Sequence, residues 1–181
     1  IELYKNGVLI WTGYLLPEKY SEPFIAVPYD VSVSASDGLG ILKNIQYAQT
    51  GTHSIFDIIK YCSDQTSLAL GFEISFSLVE KSMTSTESVL HQATLNTCTF
   101  NAMTCYEVLE ECMMSLDCFI TQSENRWLIC SMVDVDKGGY IYNNLGTKTG
   151  NAKRGTSVLG STVDDCYPIG NLTNEIIPAS K

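Results

Sequence analysis

The sequence predicts an α+β domain, with mostly antiparallel strands or a partial barrel and two helices packed on them. Three observations carry that expectation. Two stretches place apolar residues at helical spacing, each behind a capping signal. Several shorter stretches alternate apolar and polar residues with a period of two. Turn-forming pairs separate them.

Residues 1–13 read as a hairpin, because 1–5 and 8–12 flank Asn6-Gly7, the pair that best tolerates the positive φ of a type I′ turn. Across 15–28, Pro17, Pro23 and Pro28 remove ladder donors and forbid a regular strand. Tyr29, Val31, Val33 and Ala35 then alternate with Asp30, Ser32, Ser34 and Ser36, the pattern of a half-buried strand that ends at Asp37-Gly38.

Ser54 with Asp57 three residues later opens a helix over 54–65, with Ile55, Ile58, Ile59 and Cys62 on one face. Thr104 with Glu107 opens another over 103–116, with Cys105, Val108, Leu109 and Cys112 on one face. The two align at an offset of about 50 residues, and a strand follows each. Phe72, Ile74, Phe76 and Leu78 alternate with Glu73, Ser75 and Ser77. Residues 118–122 turn at Glu124-Asn125 into 126–133. A helix–strand unit used twice would account for this, and so would two ordinary helices that share a common cap. After a polar loop at 80–88, residues 89–95 read as a strand. Beyond Asp134 periodicity is lost among Gly138, Gly139, Gly146, Gly150, Gly155, Gly160 and Gly170. The expected organisation is one α+β domain over 1–133, divisible into related halves 1–80 and 81–133, and an irregular glycine-rich arm over 134–181. The expected core is Cys62, Cys112, Ile58, Ile59, Val108, Leu109, Phe72, Ile74, Val31 and Val33.

Composition narrows the function classes. With 181 residues, 45% of them hydrophobic and 17% charged, the chain can bury a core and is not a disordered polymer. The net charge is −9, from 20 acids against 11 bases, with no run of Lys or Arg. Phosphate binding draws on clustered bases, so nucleic acid and anionic membrane are not expected partners. No stretch approaches the roughly 18 apolar residues of a membrane span. The chain starts at Ile1 rather than at a methionine, and the expectation is a piece of a longer protein. Seven cysteines (Cys62, Cys98, Cys105, Cys112, Cys118, Cys130 and Cys166) form an odd set without framework spacing, which points to a reducing compartment. The sequon Asn171-Leu172-Thr173 is then a chance match.

Candidate chemistry is sparse. His53 precedes a helix cap and His91 falls in the expected strand, with no nucleophile signalled beside either. The cysteine gaps exceed the two to four residues of a zinc knuckle. Glu110-Glu111 belong to the polar side of the second helix, and Asp164-Asp165 form a further acidic pair. Asp134 and Asp136 resemble half a calcium loop without its distant Glu. Gly38-Leu39-Gly40 is a turn rather than a phosphate cradle, and Trp11 and Trp127 read as core or sheet residues. The expectation is no enzyme, with no catalytic, cofactor-binding or metal-binding residue and no cofactor.

Three segments together carry a resemblance. They are Trp11-Thr12-Gly13 with Pro17-Glu18 and Tyr20 to Pro23; Pro28-Tyr29 through Val31 to Ala35, Asp37-Gly38-Leu39 and Leu42-Lys43; and Phe100 before Cys105 to Leu109, then Ile120 to Gln122 and Arg126 to Ile129. In this order, over about residues 3–133, the chain resembles tail proteins encoded by phages and prophages of gut Bacteroidales. The resemblance implies a structural role in a baseplate hub or tail tip. It also implies self-association, contacts to other tail proteins, and passage from the host cytoplasm to the virion tail. It brings no catalytic residues. An acidic hub would let DNA slide past without sticking, so no DNA binding is expected of the fragment. The alternatives are an unrelated cytoplasmic interaction module and a tail-tip hydrolase of glycan or cell wall.

Overall fold

A computed structural model describes residues 1–24, 31–75, 82–131 and 138–152, and the backbone of 78–79 and 167–168. The fold is α+β, as expected. In chain order, β1 (Glu2–Lys5), β2 (Val8–Thr12), β3 (Tyr14–Leu15), β4 (Ala35–Ser36) and β5 (Thr52–Ser54) lead into α1 (Ile55–Asp64). Then come β6 (Gly71–Ser75), β7 (Leu78–Val79), α2 (Val89–Gln92), β8 (Thr94–Asn96) and α3 (Cys105–Ser115). Last are β9 (Cys118–Ser123), β10 (Arg126–Ser131), β11 (Gly139–Tyr142), β12 (Lys148–Ala152) and β13 (Tyr167–Pro168).

The main sheet is open and five-stranded, in the order β12-β11-β6-β10-β9. Its ladders are antiparallel except that β10 runs parallel to β6. Register explains the core. Phe72 pairs with Trp127 on one side and Tyr142 on the other, while Ile74 pairs with Ile129 and Tyr140. Strand period two therefore lays these six side chains in two rows on one face, and all six are buried. Against that face pack the apolar sides of α1 and α3, including Ile55, Ile58, Ile59, Val108 and Leu109. Each such side chain contributes roughly 1.5–3 kcal/mol by leaving water. On the other face Glu73 lies beside Leu128 and Ser75 beside Cys130, and these are buried too.

Both helix starts follow from their caps. The Ser54 hydroxyl accepts from the Asp57 N–H at 3.0 Å. Thr104 and Glu107 form the full reciprocal box: the Thr104 hydroxyl accepts from the Glu107 N–H, and the Glu107 carboxylate accepts from the Thr104 N–H at 2.7 Å. The Thr104 N–H and hydroxyl, both donating to that carboxylate, favour its charged form and lower the Glu107 pKa. Both tight hairpins also form. Asn6 and Gly7 have φ of 53° and 79°, and Glu124 and Asn125 have 49° and 57°, the left-handed pair that a type I′ turn demands.

Four expectations need correction. Val31 and Val33 are 44% and 50% exposed, and the expected strand shrinks to the two-residue β4 paired with β3. Tyr29, Phe76 and the side chain of Leu78 lie outside the described residues. Residues 89–95 are not one strand: Ser88 caps the single-turn α2 through the Leu90 N–H, and only 94–96 pair, with β5. The expected arm supplies the β11–β12 hairpin, so the main sheet continues past the boundary drawn at 133. A Cβ on Gly139 would lie 2.6 Å from the Ile74 carbonyl oxygen, so that glycine permits the close approach of β11 to β6. Finally, the strands after α1 and α3 are not equivalent. β6 sits in mid-sheet, whereas β9 is an edge strand running the opposite way with β10 between them. The 50-residue match covers caps and helix faces but not the packing of helix on strand.

Candidate functional site

The expected absence of chemistry directs attention to where polar groups and exposed apolar groups collect. Six cysteines have free thiols. Cys62 on α1 and Cys105 and Cys112 on α3 meet in the core, where the two helices pack together. Burial pushes the Cys62 thiol far up, with Cys105 and Cys112 beside it, and pushes the Cys112 thiol to about 12. Burial likewise takes Cys118 to about 12. Such thiols stay protonated at neutral pH and are poor nucleophiles. Cys98 is exposed, and Cys166 lies outside the described residues.

Glu73 and Glu124 converge on one guanidinium nitrogen of Arg126, at 3.4 and 3.3 Å. Glu73 comes from mid-sheet and is buried, Glu124 from the exposed β9–β10 turn. Glu124 and Arg126 border an open cleft of about 510 Å³ that Asn125, Asn143 and Thr149 also line. Glu110 and Glu111 face solvent on α3, as expected. Asp134, Asp136, Asp164, Asp165 and Asn171 lie outside the described residues. Among the described residues no group of three or more His, Cys, Asp or Glu is placed to hold a metal ion.

His53 stands just before α1, with its Nε2 2.9 Å from the Thr50 carbonyl oxygen. His91, on α2 rather than on a strand, lies against Phe56 and Tyr142, whose own ring centroids are 5.3 Å apart. Its centroid is 3.9 Å from that of Phe56 and 4.3 Å from that of Tyr142, nearly parallel to both. Both ring nitrogens are shut off from solvent and make no hydrogen bond among the described residues. Burial lowers the His91 pKa, while the Glu87 and Asp57 carboxylates and the Gly146 backbone pull the other way. A cation between aromatic faces gains about 0.5–2 kcal/mol. Leaving a buried polar group unpaired costs about 1–3 kcal/mol, and more when it is charged. The balance favours neutral imidazole. Nothing in the sequence signalled this clasp, because its three rings come from distant elements.

The most distinctive surface is the N-terminal ribbon. Of the large hydrophobic side chains exposed among the described residues, ten precede residue 34, and only Ile41, Met114 and Leu145 follow it. Leu3 and Tyr4 on β1 and Val8 on β2 are more than half exposed, and Phe24 is fully so. The ribbon is held from its β2 side. Gln122 accepts from the Thr12 N–H at 2.6 Å and donates to the Thr12 carbonyl at 2.9 Å, and the Asn125 N–H donates to the Ile10 carbonyl. Trp11 lies across Gly13, where a Cβ would come within 2.2 Å of the indole, so the Trp11-Thr12-Gly13 run has a steric reason. β1 pairs with β2 alone among the described strands, and all four of its residues are exposed. The candidate site these features define is an exposed apolar surface on a small α+β domain. No family model matches the chain, and searches of curated proteins and of solved structures return no match.

Proposed function

We propose that this chain is a structural, non-catalytic component of a phage or prophage tail, hub- or baseplate-like, acting through contacts with copies of itself and with neighbouring tail proteins. The observation that carries the contact role is the concentration of exposed large apolar side chains before residue 34, among them Ile1, Leu3, Tyr4 and Val8 on the N-terminal ribbon, whose β1 pairs with β2 alone among the described strands. Monomeric proteins rarely leave such patches open, and edge strands invite a further strand. The tail setting rests on the three-segment resemblance. On this reading the chain passes from host cytoplasm to virion, and its partners are protein surfaces rather than nucleic acid or membrane. The same ribbon would serve an interaction module outside phage, whereas the hydrolase alternative would have to draw on acids such as Glu124 and Glu73, both of which contact Arg126.

Sedimentation velocity from about 1 to about 100 µM tests self-association over the range of modest interfaces. A rise in weight-average mass with concentration is expected. A constant monomer mass across the range would overturn self-association as its mode of action.

A further inference from the structure

We propose that His91 is an acid-sensitive clasp that holds the β11–β12 hairpin against α1 when neutral and releases it when protonated. The inference stands apart from the assembly role and rests on a different set of contacts.

The clasp joins three elements. Phe56 comes from α1, His91 from α2 and Tyr142 from β11; the imidazole stacks on each of the other two, which themselves lie 5.3 Å apart, so the three rings form one triangular contact. Around it, residues 85–88 are strapped to the hairpin. The Ser88 N–H donates to the Tyr142 hydroxyl at 2.9 Å, the Tyr140 hydroxyl donates to the Ser85 carbonyl at 2.7 Å, and Lys148 donates to the Thr86 carbonyl. The turn between β11 and β12 lies over the same rings, since a Cβ on Gly146 would fall 3.0 Å from Phe56. Protonating His91 would place a charge where both nitrogens are shut off from water, against the pull of the Gly146 backbone and of the Glu87 and Asp57 carboxylates.

The charged and titratable neighbours are few. Glu87 adjoins α2, Asp57 and Lys60 lie on α1, Tyr140 and Tyr142 on β11, and Lys148 on β12. Glu87 and Asp57 favour the imidazolium, but burial outweighs them. Burial holds the Tyr142 hydroxyl at about 12, so it does not titrate in the same range. The sign follows. A folded pKa below the unfolded value means that the clasp stabilises fully above the ordinary histidine range and is lost as pH falls through it. Release would free the β6 edge that β11 covers.

The test compares wild type with His91→Phe, which keeps a third ring but cannot titrate. His91→Leu serves as a second variant should Phe not fit, and His53→Gln as a control. Backbone amide NMR spectra at about pH 7.5 and about pH 5 bracket the histidine range. In wild type and His53→Gln, signals of 84–92 and 139–152 should shift or broaden on acidification while α3 stays unchanged, and the imidazole should titrate below its ordinary value. In the His91 variants those segments should not respond. The same acid response in His91→Phe or His91→Leu as in wild type, or a His91 ring that titrates normally with no local change, would overturn the proposal.

Discussion

Leu109 shows how a single residue is both legible and decisive. Its place at i+4 from Cys105 put it on the apolar face of the second helix, and it is 4% exposed within the core cluster. Leu109→Ala should cost about 2–5 kcal/mol, read as a lower urea midpoint at unchanged slope. A loss under about 1 kcal/mol would mean that the face is not packed as described. Val31 and Val33 show the opposite case. Alternation says which side chains share a face, but not whether a second strand lies alongside, and here the regular ladder covers two residues, with one isolated bridge between Ser21 and Ser32 beyond it. His91 was unreadable for another reason. A clasp made by residues 56, 91 and 142 leaves no local pattern, and a single-turn helix is too short for its period to show.

At the scale of elements, caps and turns were the clearest text. Ser54, Thr104, Asn6-Gly7 and Glu124-Asn125 act through their own backbones, so neighbours in sequence suffice to place them. The β11–β12 hairpin was missed because glycine marks loops and close strand contacts alike. Only the position of the Ile74 carbonyl reveals that Gly139 belongs to the second kind. The end of α3 offers a test of this local reasoning. Asp117, two residues beyond the helix, has φ of 49°, a left-handed conformation that costs a non-glycine residue roughly 1–2 kcal/mol. Asp117→Gly should therefore stabilise by about 0.5–1 kcal/mol after the entropy that glycine adds to the unfolded chain. Thermal melts would show a higher Tm, and an unchanged or lower Tm would mean that the aspartate side chain compensates.

For the whole molecule, burial is uneven in a way that composition could not show. The sheet centre is covered on both faces, whereas the described residues among the first 33 leave most of their large apolar groups in water. An isolated two-stranded hairpin is marginal in water. This one is fastened along β2 to the β9–β10 corner, and β1 has no second partner among the described strands, as the proposed contact role requires. The candidate site was thus half legible: the hairpin stood in the sequence, but its exposure depended on what the rest of the fold failed to place over it. Hydrogen exchange measured by mass spectrometry, at dilute and concentrated protein, tests the central claim most directly. As copies associate, amides over 2–12 should gain protection while those of α3 keep theirs. Association that protects some other surface and leaves 2–12 exchanging as in the monomer would contradict the account.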